Sequence, residues 1–249
     1  MVGALEIAAG VAVLAGAALQ SATGFGFALV SAPLLFAAAG PEQALGLLIL
    51  LGLIVNGMTL GTEGRRPRPL VRDSVAILLA GLPGVFVGLL ILHALSATAL
   101  QVGVTLGVLA TLAVRALARR RSAAGAGTAP RWAAPAAGFA SGVLTTSTNT
   151  SGPPVVLYAL VRGATPVQTR DTLTVTFIGF ALLGAAALAL GGHHWVPTDA
   201  ALAALVPAVV VGHLAGRPVF ARIAEHRYEP VLTAVLITTA LAGLATALL

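Results

Sequence analysis

Apolar stretches long enough to cross a membrane, separated by short loops, fill almost the whole chain. A helix rises about 1.5 Å per residue, so about 20 apolar residues cross a hydrocarbon core of about 30 Å. Only 9% of the 249 residues are charged, against roughly 25% in soluble domains, which is too few to give so apolar a core a polar shell. The predicted fold class is an all-α polytopic membrane protein with eight to ten membrane segments. The apolar runs lie at about 2–20, 25–39, 43–61, 74–93, 96–118, 132–145, 153–162, 172–192, 199–216 and 229–249.

All 14 basic residues are arginines, and they indicate the orientation of the chain. The order of the segments places them on one side, in loops near 65–72, 115–131, 162–170 and 217–227. Loops predicted on the other side contain none, namely those near 40–42, 93–98 and 192–198. Because loops rich in arginine stay in the cytoplasm, we predict a multi-pass cell-membrane protein with this side cytoplasmic and both termini outside.

The net charge of +6 does not indicate a nucleic-acid partner. The arginines form short clusters between apolar runs, as expected beside the anionic lipids of a cytoplasmic leaflet, so the predicted partners are membrane lipids. The N-terminus carries Glu6 and no basic residue, and we interpret it as a first membrane segment rather than a cleaved signal. The absence of cysteine excludes thiolate metal sites and thiol catalysis, and the sequence predicts neither a metal nor a cofactor.

Two polar runs interrupt the apolar pattern within the membrane. Segments 132–145 and 153–162 span only about 21 Å and about 15 Å, and a polar run separates them. A similar run separates 2–20 from 25–39. The lengths of these two segments allow either a re-entrant hairpin or two full spans. Each place predicts a helix, a break and a second helix at membrane depth. The two runs are Gln20-Ser21-Ala22-Thr23-Gly24-Phe25-Gly26 and Thr145-Thr146-Ser147-Thr148-Asn149-Thr150-Ser151-Gly152-Pro153-Pro154.

The two breaks belong to an internal repeat. Gln20–Gln43 aligns with Thr145–Gln168 at an offset of 125 residues, and Pro83–Gly88 resembles Pro207–Gly212 at an offset of 124. Each half is a broken pair followed by three spans, and because three is odd the halves are inverted in topology. We predict a first repeat at 1–118, a cytoplasmic linker at 119–131 and a second repeat at 132–249. The broken pairs are 2–39 and 132–162, and the spans are 43–61, 74–93, 96–118, 172–192, 199–216 and 229–249.

Matched broken helices in inverted halves indicate the substrate site of a transporter. Unpaired N–H and C=O groups in hydrocarbon cost several kcal/mol each, so such a stretch must be buried in protein or line a polar cavity. Helices that begin near Phe25 and Pro153 bring positive N-terminal ends to the middle of the membrane, which suits an anion. The predicted substrate-binding residues are Gln20, Ser21, Thr23, Gly24, Phe25, Gly26, Thr146, Ser147, Thr148, Asn149, Thr150, Ser151 and Gly152.

No arginine or acidic residue is predicted at membrane depth, so neutral hydroxyl, amide and backbone N–H donors would hold the small anionic substrate. The alternative role of the hydroxyls is to cap helices or bond between them, and that of Gln20 is to bridge helices. Proton coupling would fall to a histidine, and the candidates are His93, His193, His194 and His213.

Several further residues allow two interpretations each. Four polar residues within apolar segments would either face the cavity or pack between helices, namely Asn56, Thr59, Thr174 and Thr176. Close helix approach within the chain or in a homodimer accounts for the GxxxG pairs Gly57/Gly61, Gly84/Gly88, Gly103/Gly107 and Gly212/Gly216.

Two motifs at the breaks resemble the TauE/SafE family of sulfite and organosulfonate exporters. They are Gly24–Leu35 (GFGFALVSAPLL) and Ser141–Tyr158 (SGVLTTSTNTSGPPVVLY), and the likeness extends to length, segment order and two-repeat layout. The resemblance implies secondary transport, usually outward, of a small sulfur oxyanion or a sulfonate such as sulfite or sulfoacetate. It also implies that the glycine and hydroxyl positions of both motifs line the pathway. The family commonly has small residues where Asn149 stands, which marks either a substrate preference or a helix cap.

The predicted function is therefore alternating-access transport of a small anion, with two alternatives open. An anion channel has the same layout, and the cargo could be a different small organic anion. An intramembrane enzyme is disfavoured, because no pair of acids lies at depth and no base adjoins the mid-chain serines in sequence. The sequence therefore predicts no catalytic residue.

Overall fold

A computed structural model describes residues 3–95, 129–192 and 195–222, together with Ala99 and Ala234. These residues form eight helices and no strand. The predicted spans 96–118 and 229–249, most of the linker 119–131, Gly103, Gly107, His193 and His194 lie outside the described residues. The helices are α1 (Ala4–Thr23), α2 (Phe27–Ala39), α3 (Pro41–Thr62), α4 (Val71–Ala94), α5 (Ala133–Thr148), α6 (Gly152–Val161), α7 (Pro166–Leu190) and α8 (Asp199–Arg222).

Five of these helices, α1, α3, α4, α7 and α8, are long and apolar enough to cross a membrane. The chain is accordingly a polytopic α-helical membrane protein. In contrast, α2 has 13 residues and α6 has 10, so they extend only about 20 Å and about 15 Å. The first broken pair therefore joins a helix of spanning length to a short one.

The chain reverses direction at the first break. The hydroxyl of Ser31 on α2 donates to the carbonyl of Ala12 on α1 at 3.2 Å, and a Cβ on Gly16 would meet Phe27 and Ser31. Residues later in α2 thus contact residues earlier in α1, which is the arrangement of an antiparallel hairpin. Both arrangements left open by the sequence, a re-entrant hairpin and two full spans, are antiparallel, so these contacts agree with each of them.

The two breaks begin in the same way, with a residue in the left-handed conformation. Gly24 ends α1 with φ 91°, and Asn149 ends α5 with φ 55°. Their N–H groups donate to the carbonyls of Gln20 at 2.7 Å and Thr145 at 3.1 Å. Asn149 stands 125 residues after Gly24, and asparagine is the residue that most often replaces glycine in this conformation. The helix-cap interpretation of Asn149 is therefore correct for its backbone.

The two halves pack across one another. Among the described helices, the most extensive contacts are between α4 and α5 and between α1 and α8. In the first pair, Gly84 faces the backbone of Phe139, and Gly142 faces the backbone of Gly81, with no room for a side chain. In the second, Gly212 and Gly216 meet the backbone of α1 in the same way. Two of the GxxxG pairs thus serve packing within the chain.

One end of the helices carries the described arginines. Arg65 pairs with Asp171 at 2.7 Å, which joins the loop after α3 to the beginning of α7. Arg162 pairs with Asp73 at 3.4 Å, which joins the end of α6 to the start of α4. We call this the Arg end. At the opposite end, the backbone of Trp195 packs on Gly46 of α3. Between the ends, side chains such as those of Leu79, Phe86 and Leu90 on α4 are exposed, as expected of a lipid-facing surface.

Candidate functional site

The two helix breaks meet at one small cavity. Phe25 and Gly26 line it from the first break, and 149–152 line it from the second. Its volume is about 50 Å³, which is room for about three or four water-sized groups. Aromatic side chains enclose much of it, because Phe27 of α2 and Phe177 and Phe180 of α7 join Phe25 in the wall. The polar part of the lining is Gln20, Asn56, Asn149, Thr150 and Ser151.

Gln20 holds the first break together from within α1. Its Oε1 accepts a hydrogen bond from the N–H of Phe27, the first residue of α2, at 3.1 Å. Its Nε2 donates to Oδ1 of Asn56 on α3 at 2.9 Å, and the Asn56 amide donates in turn to the Gly52 carbonyl. Gln20 therefore bridges three helices and also lines the cavity. Asn56 also lines the cavity, and it joins α3 to α1, which the sequence could not decide.

The second break leaves donors facing the cavity. The Thr148 and Thr150 hydroxyls bond each other at 2.8 Å, and the Ser141 hydroxyl donates to the Ser151 carbonyl at 2.8 Å. Within the described part of the chain, the Asn149 amide and the Ser151 hydroxyl have no hydrogen-bond partner. The N–H of Gly152 opens α6, where no preceding turn can accept it. This wall can therefore donate to a bound group.

The comparison with known protein families agrees with the layout of helices and breaks. The family model described as sulfite exporter TauE/SafE matches residues 8–243. The chain belongs to the TauE/SafE family. Searches of curated proteins and of solved structures find no significant match. Membership places the chain in a family of membrane transporters, in agreement with the five helices of spanning length among the described residues.

Seven of the thirteen predicted site residues line the cavity of this TauE/SafE protein, and six do not. The hydroxyls among the six bond within the helix bundle. Thr146 donates to the Val85 carbonyl of α4 at 2.6 Å, whereas Ser147 and Thr148 donate to carbonyls of their own helix. Packing also accounts for Thr59, Thr174 and Thr176, which each donate to a carbonyl of their own helix. The six residues that do not line it are Ser21, Thr23, Gly24, Thr146, Ser147 and Thr148.

The sequence predicted Arg170 in a loop, but the structure places it in a helix and buries it. It lies in the second turn of α7, only 1% exposed, and its side chain packs directly on Gly24 of the first break. Its guanidinium pairs with Glu63 and donates to the Ser21 carbonyl at 2.7 Å. The positive φ of Gly24 and the contact with Arg170 together explain why this position has no side chain.

The neighbouring Asp171 fixes the loop after α3 onto α7. Both of its oxygens accept from Arg65, at 2.7 and 2.8 Å, and the backbone N–H of Arg68 adds a bond of 2.6 Å. The hydrogen bond that Arg65 donates to Asp171 raises the pKa of Arg65 above its ordinary value. Because Arg65 also pairs with Glu63, the four charges form one network that links the loop to the first break.

His213 connects α8 to this network through the first break. It is fully buried, with Nδ1 at 2.8 Å from the Ser21 hydroxyl and Nε2 at 3.0 Å from the Thr62 hydroxyl. The Thr62 hydroxyl donates to the Met58 carbonyl, so it accepts from His213. The bonds therefore assign the proton of the neutral ring to Nε2 and leave Nδ1 to accept from Ser21.

The buried pair generates a stability prediction. Glu63→Gln removes the anionic partner of Arg170, and leaving a buried charge uncompensated costs about 3–5 kcal/mol. We expect a clear fall in the thermal midpoint of the detergent-solubilised protein. Glu63→Gln combined with Arg170→Met should recover much of the loss, because no buried charge then lacks a partner. The matched control is Arg66→Gln, an exposed arginine in the same loop, and equal midpoints for Glu63→Gln and this control would contradict the account.

Proposed function

We propose that this chain is a secondary transporter of a small oxyanion, sulfite above all, and that the anion occupies the cavity between the two breaks. The observation that carries the proposal is that both breaks contribute to one small cavity within the helix bundle. Family membership supports the substrate class. The cavity volume supports the smaller cargo, because three or four water-sized groups match the four heavy atoms of sulfite. Short organosulfonates form the second substrate class of the proposal.

Neutral donors suit the release of the anion as well as its binding. The cavity is lined by no charged side chain among the described residues. The Asn149 amide, the Ser151 hydroxyl and the N–H at the start of α6 can donate to oxyanion oxygens, and the helix N-terminus adds a partial positive charge. The nearest buried guanidinium, that of Arg170, is already compensated by Glu63. Binding by such groups is moderate, which a turnover cycle needs.

Two inverted halves, 1–118 and 132–249 with the linker 119–131 between them, are part of the proposal. The α1–α8 contact corresponds to the α5–α4 contact under the 125-residue alignment, and the α3–α7 contact corresponds to itself. Such correspondence is what a two-fold relation between halves requires. Alternating access then follows if one half rocks against the other around the cavity.

The Arg end is the cytoplasmic end in this proposal, with both termini outside and export as the direction. Arginine-rich loops support the cytoplasmic assignment. The charge network of Glu63, Arg65, Arg170 and Asp171 lies between the first break and this end. Its separation would open the cavity to the cytoplasm, and its closure would retain the anion. A small cavity walled by phenylalanines supports such a carrier over a continuous channel.

Proton coupling is assigned to His213. Among the described histidines, His213 is the one that contacts the first break, through the Ser21 hydroxyl. Ser21 bonds to His213 through its hydroxyl and to Arg170 through its carbonyl, and Glu63 balances the charge of Arg170. Opening of the network would change this balance and so link protonation of His213 to the conformation of the first break.

The direct test of the function is flux through purified protein in liposomes. We expect saturable uptake of radiolabelled sulfite that unlabelled sulfite and short sulfonates inhibit, and no uptake of rubidium. Folding is verified by size-exclusion chromatography of protein recovered from the same liposomes. Absence of sulfite and sulfonate flux from folded protein would refute the proposed cargo, and currents far above carrier turnover would indicate a channel.

The role of the Asn149 side chain is separable from its role as a helix cap. Asn149→Gly keeps a residue suited to φ 55° and removes the amide. Since a hydrogen bond to a charged group contributes about 1.5–3 kcal/mol, the KM for sulfite should rise about tenfold or more at unchanged thermal stability. Asn149→Ala should lose stability as well. Wild-type KM in Asn149→Gly would show that the residue only caps α5.

The coupling role of His213 predicts a selective defect. His213→Gln retains hydrogen-bonding capacity but cannot carry a proton at physiological pH. We expect sulfite exchange at equal pH within about threefold of wild type, and loss of the response to an imposed pH gradient. The control is His93→Gln, an exposed histidine at the opposite end. An intact gradient response in His213→Gln would assign coupling to another group.

A further inference from the structure

A second polar site lies at the Arg end, away from the helix breaks. Arginines from three elements line one open groove of about 570 Å³: Arg72 at the start of α4, Arg131 just before α5, and Arg162 just after α6. Asp73 and Tyr158 complete its polar lining. None of these residues lines the cavity at the breaks, so the groove is a separate site.

The groove carries excess positive charge. Asp73 is its single carboxylate among the described residues and lies 3.4 Å from Arg162. Arg72 and Arg131 have no ion-pair partner within the described ranges. Three guanidinium groups facing one carboxylate leave an excess of two positive charges. Guanidinium groups bind phosphate oxygens through paired hydrogen bonds, so the groove has the chemistry of a phosphate site.

The surroundings of the groove are apolar and exposed. Trp132, next to Arg131, is 70% exposed, and Val71, next to Arg72, is 65% exposed. One turn further along α4, Val75 is exposed as well. Tryptophan favours the boundary between hydrocarbon and headgroups. The arginines thus lie where the lipid-facing surface of α4 and α5 reaches the headgroup layer, at the end that arginine-rich loops assign to the anionic leaflet.

We propose that the groove binds the phosphodiester headgroup of an anionic glycerophospholipid, with its acyl chains along the exposed faces of α4 and α5. Neither the charge nor the aromatic residue alone selects a lipid, but a basic pocket that opens beside lipid-facing side chains does. A soluble phosphate would use the arginines and leave Trp132 and Val71 without a role. The bound lipid joins α4 and α5 to the end of α6, whose first residue lines the cavity at the breaks.

The test is retention of lipid by the full chain in detergent. Native mass spectrometry is used after titration with phosphatidylglycerol or with phosphatidylcholine of the same acyl chains. We expect wild-type protein to retain one phosphatidylglycerol with at least tenfold higher affinity than phosphatidylcholine. Arg131→Gln and Arg72→Gln should each lower that affinity about tenfold, because each removes a charged donor from the phosphate. Arg66→Gln, also exposed at the Arg end, is the control of equal net charge and should bind like wild type.

Two further measurements distinguish a lipid site from a soluble-anion site and from an effect of surface charge. If inorganic phosphate or glycerol phosphate raises the thermal midpoint as much as phosphatidylglycerol does, and Arg131→Gln abolishes that rise, the groove binds soluble anions and the proposal is overturned. Equal retention of phosphatidylglycerol by Arg66→Gln, Arg72→Gln and Arg131→Gln overturns it too, because retention then reflects surface charge alone. The KM for sulfite should stay within twofold of wild type in Arg131→Gln, so the test is independent of the proposed substrate.

Discussion

Backbone groups that leave a helix within a membrane must find partners in the protein, and this requirement governs the structure around both breaks. The Gln20 amide accepts the first N–H of α2, the Ser141 hydroxyl satisfies the Ser151 carbonyl, and Arg170 satisfies that of Ser21. Gln20 and Ser141 lie in the helices that end at the two breaks, whereas Arg170 comes from α7, so the first break also depends on a helix distant in the sequence. What remains is a small group of donors at the second break that can bind an anion. In the proposed function, these donors bind the substrate.

The crossed packing of the halves explains how the two breaks come to share one cavity. Glycines on α4, α5 and α8 allow backbone to touch backbone, which fixes α4 against α5 and α8 against α1. Because α1 and α5 each end at a break, these contacts also fix where the breaks lie. The charge network adds a second connection, from the loop after α3 to the first break. The packing of these helices therefore also determines the geometry of the cavity.

The sequence predicted what depends on local chemistry. Apolar run length indicated the membrane helices, and the polar runs indicated the positions where α1 and α5 end. It could not assign the hydroxyls, because whether Thr146 faces the cavity or bonds to Val85 depends on which helix lies beside it. Arg170 was missed for a similar reason. Near Pro166 it has the appearance of a loop residue, and its burial depends on Glu63, a residue of the other half, which no local pattern indicates. The two asparagines differ in the same way. The sequence alignment pairs Asn149 with Gly24 and so offered a helix cap there, whereas no local pattern indicated the bond between Asn56 and Gln20.

The central claim is that a small oxyanion binds between the two breaks, and selenite tests it most directly. Selenite has the shape and charge of sulfite and carries an anomalous scatterer in place of sulfur. Crystals grown with selenite should show an anomalous peak in the cavity between Gly26 and Ser151, within hydrogen-bonding distance of the Asn149 amide. A peak elsewhere on the protein with none in this cavity would contradict the claim.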